Sequence, residues 1–383
     1  MQPKEKNARN SGVNRQKSII KSQTGFTVIE ILIITVIVAL VSTVAVVSAV
    51  KYRSVQDLRL SLNEFAALIR DVQRKSVTQE DGKRWGVRFE NTASGKDRIY
   101  VFKGVSYASG TVTQSALVRR GVQFGEPGPS STQDVVFTPI EGGLAPNKVI
   151  TLNTGLNDGL FGDIIMSALG RVTTRTDTGL LGYWHFDEGT GTSTVDASGR
   201  GHTGAFSTAP TWLSGTSCKA GACFNFTADL VTANGDNSFT GTSPFTIAAW
   251  LNADSHSDYG FAAYAGTDAI GQSAWIGWTQ TAQVGTSNSL GGGFYGRNYG
   301  SGITDTDGWH HVALSFSGGV LGTAKIYVDG VEKTTDSYTP NLATGAITFG
   351  HVAYPYNGDI DEVRLYNREL SGTEILNIYN DLK

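Results

Sequence analysis

The glycine-rich stretch GGGFYGRNYG carries Tyr295, Arg297 and Tyr299 at alternate positions. Aromatic rings stack on the apolar faces of pyranose sugars, and a guanidinium donates in a plane to oxygens. The trio therefore reads as a ligand-binding set on a loop, where binding residues concentrate. The neighbouring segments FAAYAG and WIGWTQ add Tyr264, Trp275 and Trp278, with Tyr259 just before them; rings in such strand-like segments are core as readily as site. Cys218 and Cys223 bracket CKAGAC. In an oxidising compartment that spacing favours a small disulfide loop, because a metal centre needs further ligands nearby and none is apparent. His185 and Asp187 share a strand face without a serine or cysteine nucleophile motif, and the adjacent His310 and His311 point to opposite sides of a strand, so both pairs read as structural. The string GRGHTG at 199–204 fits the glycine spacing of a dinucleotide loop, yet no helical pattern follows it, which excludes that chemistry.

One acid stands apart. Glu30 is the only charged residue between Phe26 and Val50. As a helix such a run is about 37 Å long, enough to cross a bilayer, which predicts a membrane span over 26–50. Six basic residues and one acidic residue precede it within the first 25 positions, so the positive-inside rule predicts a cytoplasmic amino terminus with the rest beyond the membrane. An ionisable group in hydrocarbon costs about 2.5–3.5 kcal/mol; Glu30 either snorkels to the headgroups or awaits a partner. Further on, Val55, Leu58, Leu62, Phe65, Ile69 and Val72 recur at spacings of 3, 4, 3, 4 and 3. This predicts that the helix continues to about residue 78 and packs that stripe against a sheet.

Beyond residue 25 the chain holds 25 basic and 33 acidic groups, a net of −8, which argues against nucleic acid as a partner. The stretch KSQTGFTVIE resembles the leader junction of type IV prepilins: a basic leader ending in Gly25, then Phe26, then a glutamate at the fifth mature position. The resemblance implies that a prepilin peptidase cuts between Gly25 and Phe26 and methylates the new amine, and that Glu30 pairs with that amine of a neighbouring subunit during assembly. Residues 84–176 read as strands separated by Gly-, Pro- and Ser-rich turns, among them RWGVRFE, DRIYVFKG, VVFTPIEGG, KVITLNT and DIIMSALGRVTTR. A helix followed by an antiparallel sheet in this order is similar to the soluble domain of the type II secretion minor pseudopilins and related minor pilins.

After TRTDTG the composition changes, and six of the seven Trp lie between Tyr183 and Trp309. Segments such as TIAAWL, HVALSF and KIYVDG read as short half-buried strands of a two-sheet sandwich. The opening LLGYWHFDEGTGTSTVDASGRGHTGAF, then FTIAAWLNA, GWHHVALSFSG and KIYVDGVEK, and the closing YNGDIDEVRLYNRELSGTEILNIY, resemble the laminin-G-like, concanavalin A-like jelly roll. The expected fold class is an α+β pilin module, a long amino-terminal helix plus antiparallel sheet, followed by an all-β jelly-roll sandwich. The expected boundaries are leader 1–25, helix 26–78, β domain 79–177 and jelly roll 178–383. The resemblance implies that the first and last strands of the sandwich pair. It also implies, for members that bind it, a structural calcium ion where the opening loop meets the closing strand, here Asp196 and the carbonyls near Gly201 and His202 with Asp359 or Asp361. Glycosidases of this fold carry paired acids on one strand; Asp359 and Asp361 in GDIDEV come nearest but lack the Glu-x-Asp-x-Glu order.

The expectation is a non-enzymatic minor pilin or pseudopilin that carries a lectin-like adhesion domain for a glycan or a surface protein. Its other partners are the prepilin peptidase, fellow pilin subunits and the inner or cytoplasmic membrane, from which it passes to the cell surface or a filament. The alternatives are a surface-tethered glycan hydrolase and a pseudopilin that engages secreted cargo.

Overall fold

The computed structural model describes residues 28–383 apart from 93–95, 145–146, 155–159, 168, 178, 228–229, 255–257, 305 and 307. The processing junction, Gly25 and Phe26, lies outside the described residues. The chain divides into two units, Met1–Lys51 and Tyr52–Lys383, and helix α1 (Val28–Val77) contributes to both.

In the first unit the side chains from Val28 to Val38 are exposed, and Glu30 sits in the first helical turn. The membrane span expected over 26–50, and the membrane localisation built on it, are corrected: among the described residues no helix is long and apolar enough to cross a membrane.

Within the second unit α1 contributes residues 52–77 of its Val28–Val77 span. Its stripe of Leu58, Leu62, Phe65, Ile69 and Val72 is buried. The stripe faces two four-stranded antiparallel sheets, and the shared core includes Phe89, Phe124, Phe137, Ile150 and Ile164. One sheet holds β1 (Trp85–Glu90), β2 (Arg98–Lys103), β3 (Thr111–Leu117) and β5 (Thr132–Val136) in the order β3-β2-β1-β5. The other holds β4 (Gln123–Glu126), β6 (Lys148–Asn153), β7 (Phe161–Met166) and β8 (Val172–Asp177) in the order β4-β6-β7-β8. The segment DIIMSALGRVTTR, expected as one strand, is a hairpin, with β7 and β8 paired from Phe161↔Asp177 to Met166↔Val172. Gly170 (φ 80°) in the turn supplies the left-handed conformation such a reversal needs. Gly162 lets helix and sheet meet closely: a Cβ there would lie 2.3 Å from Leu62 Cδ1.

From β9 (Leu180–Trp184) onward the chain forms a sandwich of two mainly antiparallel sheets. One orders Thr211–Ser214, Ala222–Thr227, Asn357–Tyr366, Phe245–Ala253, His310–Phe316, Gly322–Val328 and Val331–Tyr338, with β9 beside Asn357–Tyr366. Val363↔Trp184 and Arg364↔Tyr183 are in register, so the first and last strands of the sandwich pair. The second sheet has nine strands, with Ala346–Phe349, Gly260–Gly266, Ser273–Thr279, Ser289–Phe294 and Arg297–Ser301 side by side. Trp184, Phe245, Phe294, Phe316 and Phe349 fill the space between the sheets. The chain then ends on helix α2 (Gly372–Leu382), where the Ser371 hydroxyl accepts from Glu374 N and the Glu374 carboxylate accepts from Ser371 N, a reciprocal cap written in the sequence as SGTE.

Candidate functional site

Side chains of Ser273–Thr279 alternate between the two faces of the nine-stranded sheet, and in Gly260–Gly266 a register shift between Phe261 and Ala263 brings Phe261 and Tyr264 to the same face. Ala263, Ala265, Ala274 and Ile276 belong to the inter-sheet core, whereas Phe261, Tyr264 and Trp275 form a separate aromatic cluster on the other face. Phe261 stacks on Trp275 with centroids 4.1 Å apart and planes 22° apart. Half-buried Tyr259, Tyr295 and Tyr354 pack over this base. Gly293, paired with Trp275 across the sheet, adds no side chain beside the indole.

Polar bonds fix the rim. Tyr295 and Tyr354 hydroxyls are 3.2 Å apart, and Tyr259 donates to the Thr281 carbonyl at 2.9 Å while accepting from Asn298 Nδ2 at 3.1 Å. Asp268 accepts from the Tyr264 hydroxyl at 2.6 Å and lies 3.1 Å from His351 Nε2. Burial pushes the Asp268 carboxyl up, but the bonds from Tyr264 and His351 outweigh it and hold the group below the usual carboxylate range. His351 Nδ1 accepts the backbone N–H groups of Ala353 and Tyr354 at 3.2 and 3.3 Å, which places its proton on Nε2. Exposed Ile270 (77%) and Val352 (82%) border the patch. Half-buried rings with fixed hydroxyls beside exposed aliphatic groups can stack on the C–H face of a sugar ring and hydrogen-bond its hydroxyls.

Of the expected binding trio, only Tyr295 reaches this patch. Arg297 donates from Nε and Nη2 to Asp336 at 3.1 and 2.7 Å. Tyr299 is corrected from loop to core: Arg297–Ser301 is a strand, and its alternation turns Tyr299 inward at 1% exposure. Tyr354, His351 and Asp268 were missed; the signal was AYPYNG, a turn-rich segment with two tyrosines.

The residues expected around a calcium ion do not fit one. Asp196 accepts N–H bonds from Tyr183, Ser198 and His202 at 2.9–3.0 Å. Asp359 accepts from the amides of Asn225 and Asn252 at 2.6 and 2.9 Å. Asp361 Oδ2 accepts from Lys219 N and Ala220 N at 3.0 and 2.9 Å, while burial drives its carboxyl well above the usual range. Donors surround these carboxylates where a cation would need oxygens, and among the described residues no group of three or more His, Cys, Asp and Glu could hold a metal ion. The same bonds hold Asp359 on side-chain amides and Asp361 on backbone N–H groups. Cys218 and Cys223 form a disulfide, and its loop places Lys219 Nζ 3.9 Å from the centroid of Trp250.

A second polar cluster lies where the β4-β6-β7-β8 sheet meets the sandwich. Asp163 of β7 is fully buried and pairs with Arg175 of β8, which also reaches Asp381 of α2 at 2.7 Å. Arg364, on the closing strand, lies 3.5 Å from Asp163 and 3.2 Å from Glu362 and donates to the Tyr183 hydroxyl, which in turn donates to Glu362. His185 Nδ1 is 2.8 Å from Glu362, and its Nε2 is 2.9 Å from Thr151 Oγ1, whose proton goes to Asp163 at 2.7 Å. With that proton committed, Nε2 must donate to Thr151; Nδ1 donates to Glu362, so His185 is an imidazolium. Burial opposes this charge, but Glu362 more than offsets it and holds the group up to about 9. Burial likewise opposes the Glu362 carboxylate, yet His185 and Arg364 bring it down to about 2. Beside the cluster, a cleft of about 500 Å³ is lined by Glu126, Lys148, Asp187 and Glu188 among others. Burial pushes Glu126 up to about 8 and Glu188 to about 7.

Residues 226–376 match the family described as the Concanavalin A-like lectin/glucanases superfamily, and the carboxy-terminal region is a laminin-G-like, concanavalin A-like jelly roll. The family match does not extend to the amino-terminal junction. No curated protein matches the sequence. Among solved structures the chain is similar to domain 4 of AbnA, a GH43 extracellular arabinanase from Geobacillus stearothermophilus in complex with arabinotriose, with 19% identity, a TM-score of 0.42 and coverage of 52% of this chain and 98% of that one. It is also similar to the binding domain of Paraclostridial Mosquitocidal Protein 1, with 13% identity, a TM-score of 0.37 and coverage of 53% and 52%. A third is botulinum neurotoxin type C, whose cell entry depends on interaction with two ganglioside molecules; identity is 17%, the TM-score 0.35 and coverage 54% and 51%. The chain spans about half the length of those two toxin structures.

Proposed function

We propose that the jelly roll is a carbohydrate-binding module and that the aromatic patch of Tyr259, Tyr295 and Tyr354 over Phe261 and Trp275 is where it holds its ligand. The patch carries the reading: rings with a fixed hydroxyl rim on a sheet face separate from the core are what stacking on a sugar requires. On a glycan array, Tyr354→Ala and Tyr295→Ala should each weaken binding about tenfold or more, as loss of a central aromatic anchor does. Both variants should keep the parent circular dichroism; unchanged binding in both would remove the patch from the reading.

The base beneath the module is read as pilin-like, with residues 52–77 of α1 seated on antiparallel sheets and the junction KSQTGFTVIE before them. In this reading a prepilin peptidase cuts between Gly25 and Phe26, and Glu30 pairs with the freed amine of a neighbouring subunit. Intact-mass measurement after co-expression with such a peptidase should show loss of residues 1–25. An uncut chain would remove the filament half of the proposal and leave the carbohydrate half standing.

A further inference from the structure

The surround of the aromatic patch is short of free positive charge. Over residues 258–302 and 339–356, which supply the patch and its rim, the only Lys or Arg is Arg297, and Asp336 takes both Nε and Nη2 of that guanidinium. His351 Nδ1 accepts two backbone N–H groups, and its Nε2 faces Asp268 rather than the rings. Two carboxylates stand at the rim: Asp268, with a side chain 55% exposed, and Asp258, which accepts from Gln280 Nε2 beside Tyr259. A sugar carboxylate is recognised by a guanidinium fork or converging N–H donors, and the patch offers no free fork. What it offers is acceptors for hydroxyl protons, rings for C–H faces, and apolar Ile270 and Val352.

From this we propose, on the carbohydrate-binding reading above, that the patch selects neutral oligosaccharides and rejects their anionic counterparts, uronic acids and sialosides alike. Two carboxylates raise the local negative potential, and an anionic sugar must approach against it. The discrimination is electrostatic, so it shrinks with salt.

The test uses the full chain and matched probes, galactotriose against trigalacturonate and lactose against sialyllactose, by titration calorimetry. At about 0.05 M salt each neutral member should bind at least about fivefold tighter than its anionic partner, and the gap should narrow near 0.5 M salt. Asp268→Asn, whose amide oxygen can still accept from Tyr264 and His351, should narrow the gap at low salt. Equal or tighter binding of the anionic members, or a gap that Asp268→Asn leaves unchanged, would overturn the selectivity while the carbohydrate-binding reading stands. Absence of binding by all four probes and by a wider neutral panel would overturn both.

Discussion

Asp163→Ala is expected to destabilise the Tyr52–Lys383 unit by about 3–5 kcal/mol, the range for removing one member of a buried ion pair. The side chain is fully buried, accepts from Thr151 and pairs with Arg175 and Arg364. Its removal leaves two guanidiniums, 14% and 2% exposed, with only Asp381 and Glu362 between them. Urea denaturation of the full chain measures the loss, and a change under about 1 kcal/mol would mean that the cluster adds nothing beyond packing.

The second large effect is alkaline destabilisation. His185 is raised from 6.5 to about 9, so the stability it contributes is complete below 6.5 and disappears as pH rises through 9. Glu126 and Glu188, raised from 4.5 to about 8 and about 7, act in the same direction: their protonated forms suit the fold, and ionisation at higher pH costs stability. On the acid side two groups work the other way. Glu362, lowered from 4.5 to about 2, contributes stability that is lost as pH falls through 2. Burial, with Arg364 nearby, brings His311 down from 6.5 to about 3, so its contribution is present above 6.5 and fades as pH falls through 3. The gains of Glu362 and His311 with rising pH meet the losses of Glu126 and Glu188 near 4.5, the ordinary glutamate value, so stability should peak there and fall on either side. Between pH 6 and pH 9 the loss should be on the order of 3 kcal/mol from His185 alone. Thermal unfolding across pH 4–10 would show it, and a midpoint that rises from pH 6 to pH 9 would contradict the imidazolium assignment. His185→Gln, which keeps a hydrogen-bonding side chain without the charge, should flatten the alkaline limb.

The two halves of the molecule were unequally legible. The seam of α1 follows from 3-and-4 spacing because neighbours on one helix face are fixed by local geometry, and Leu58 to Val72 sit where that rule puts them. The jelly roll was legible through the resemblance its opening, inner and closing segments bear to known jelly rolls, with which local strand alternation agrees. Tyr299 misled because a glycine-rich strand has the composition of a loop; only pairing across to Ser289–Phe294 shows which way the ring faces. Asp196 and Asp359 looked like cation ligands because residue type does not reveal whether neighbouring donors or acceptors face a carboxylate. The charged cluster was illegible for a plainer reason: His185 and Glu362 are 177 positions apart, and Arg364 and Asp163 are 201.

That cluster bears on how far the jelly roll is portable. Cutting the chain near residue 178 looks natural from composition, yet Thr151, Asp163 and Arg175 precede that point while His185, Glu362, Arg364 and Asp381 follow it. A graft of the sandwich alone onto another carrier would turn a closed charge network into bare buried ions facing a new surface. Such a transplant should carry its donor sheet with it or have those positions rewritten, so this lectin-like fold is inherited with its base rather than as a free cassette.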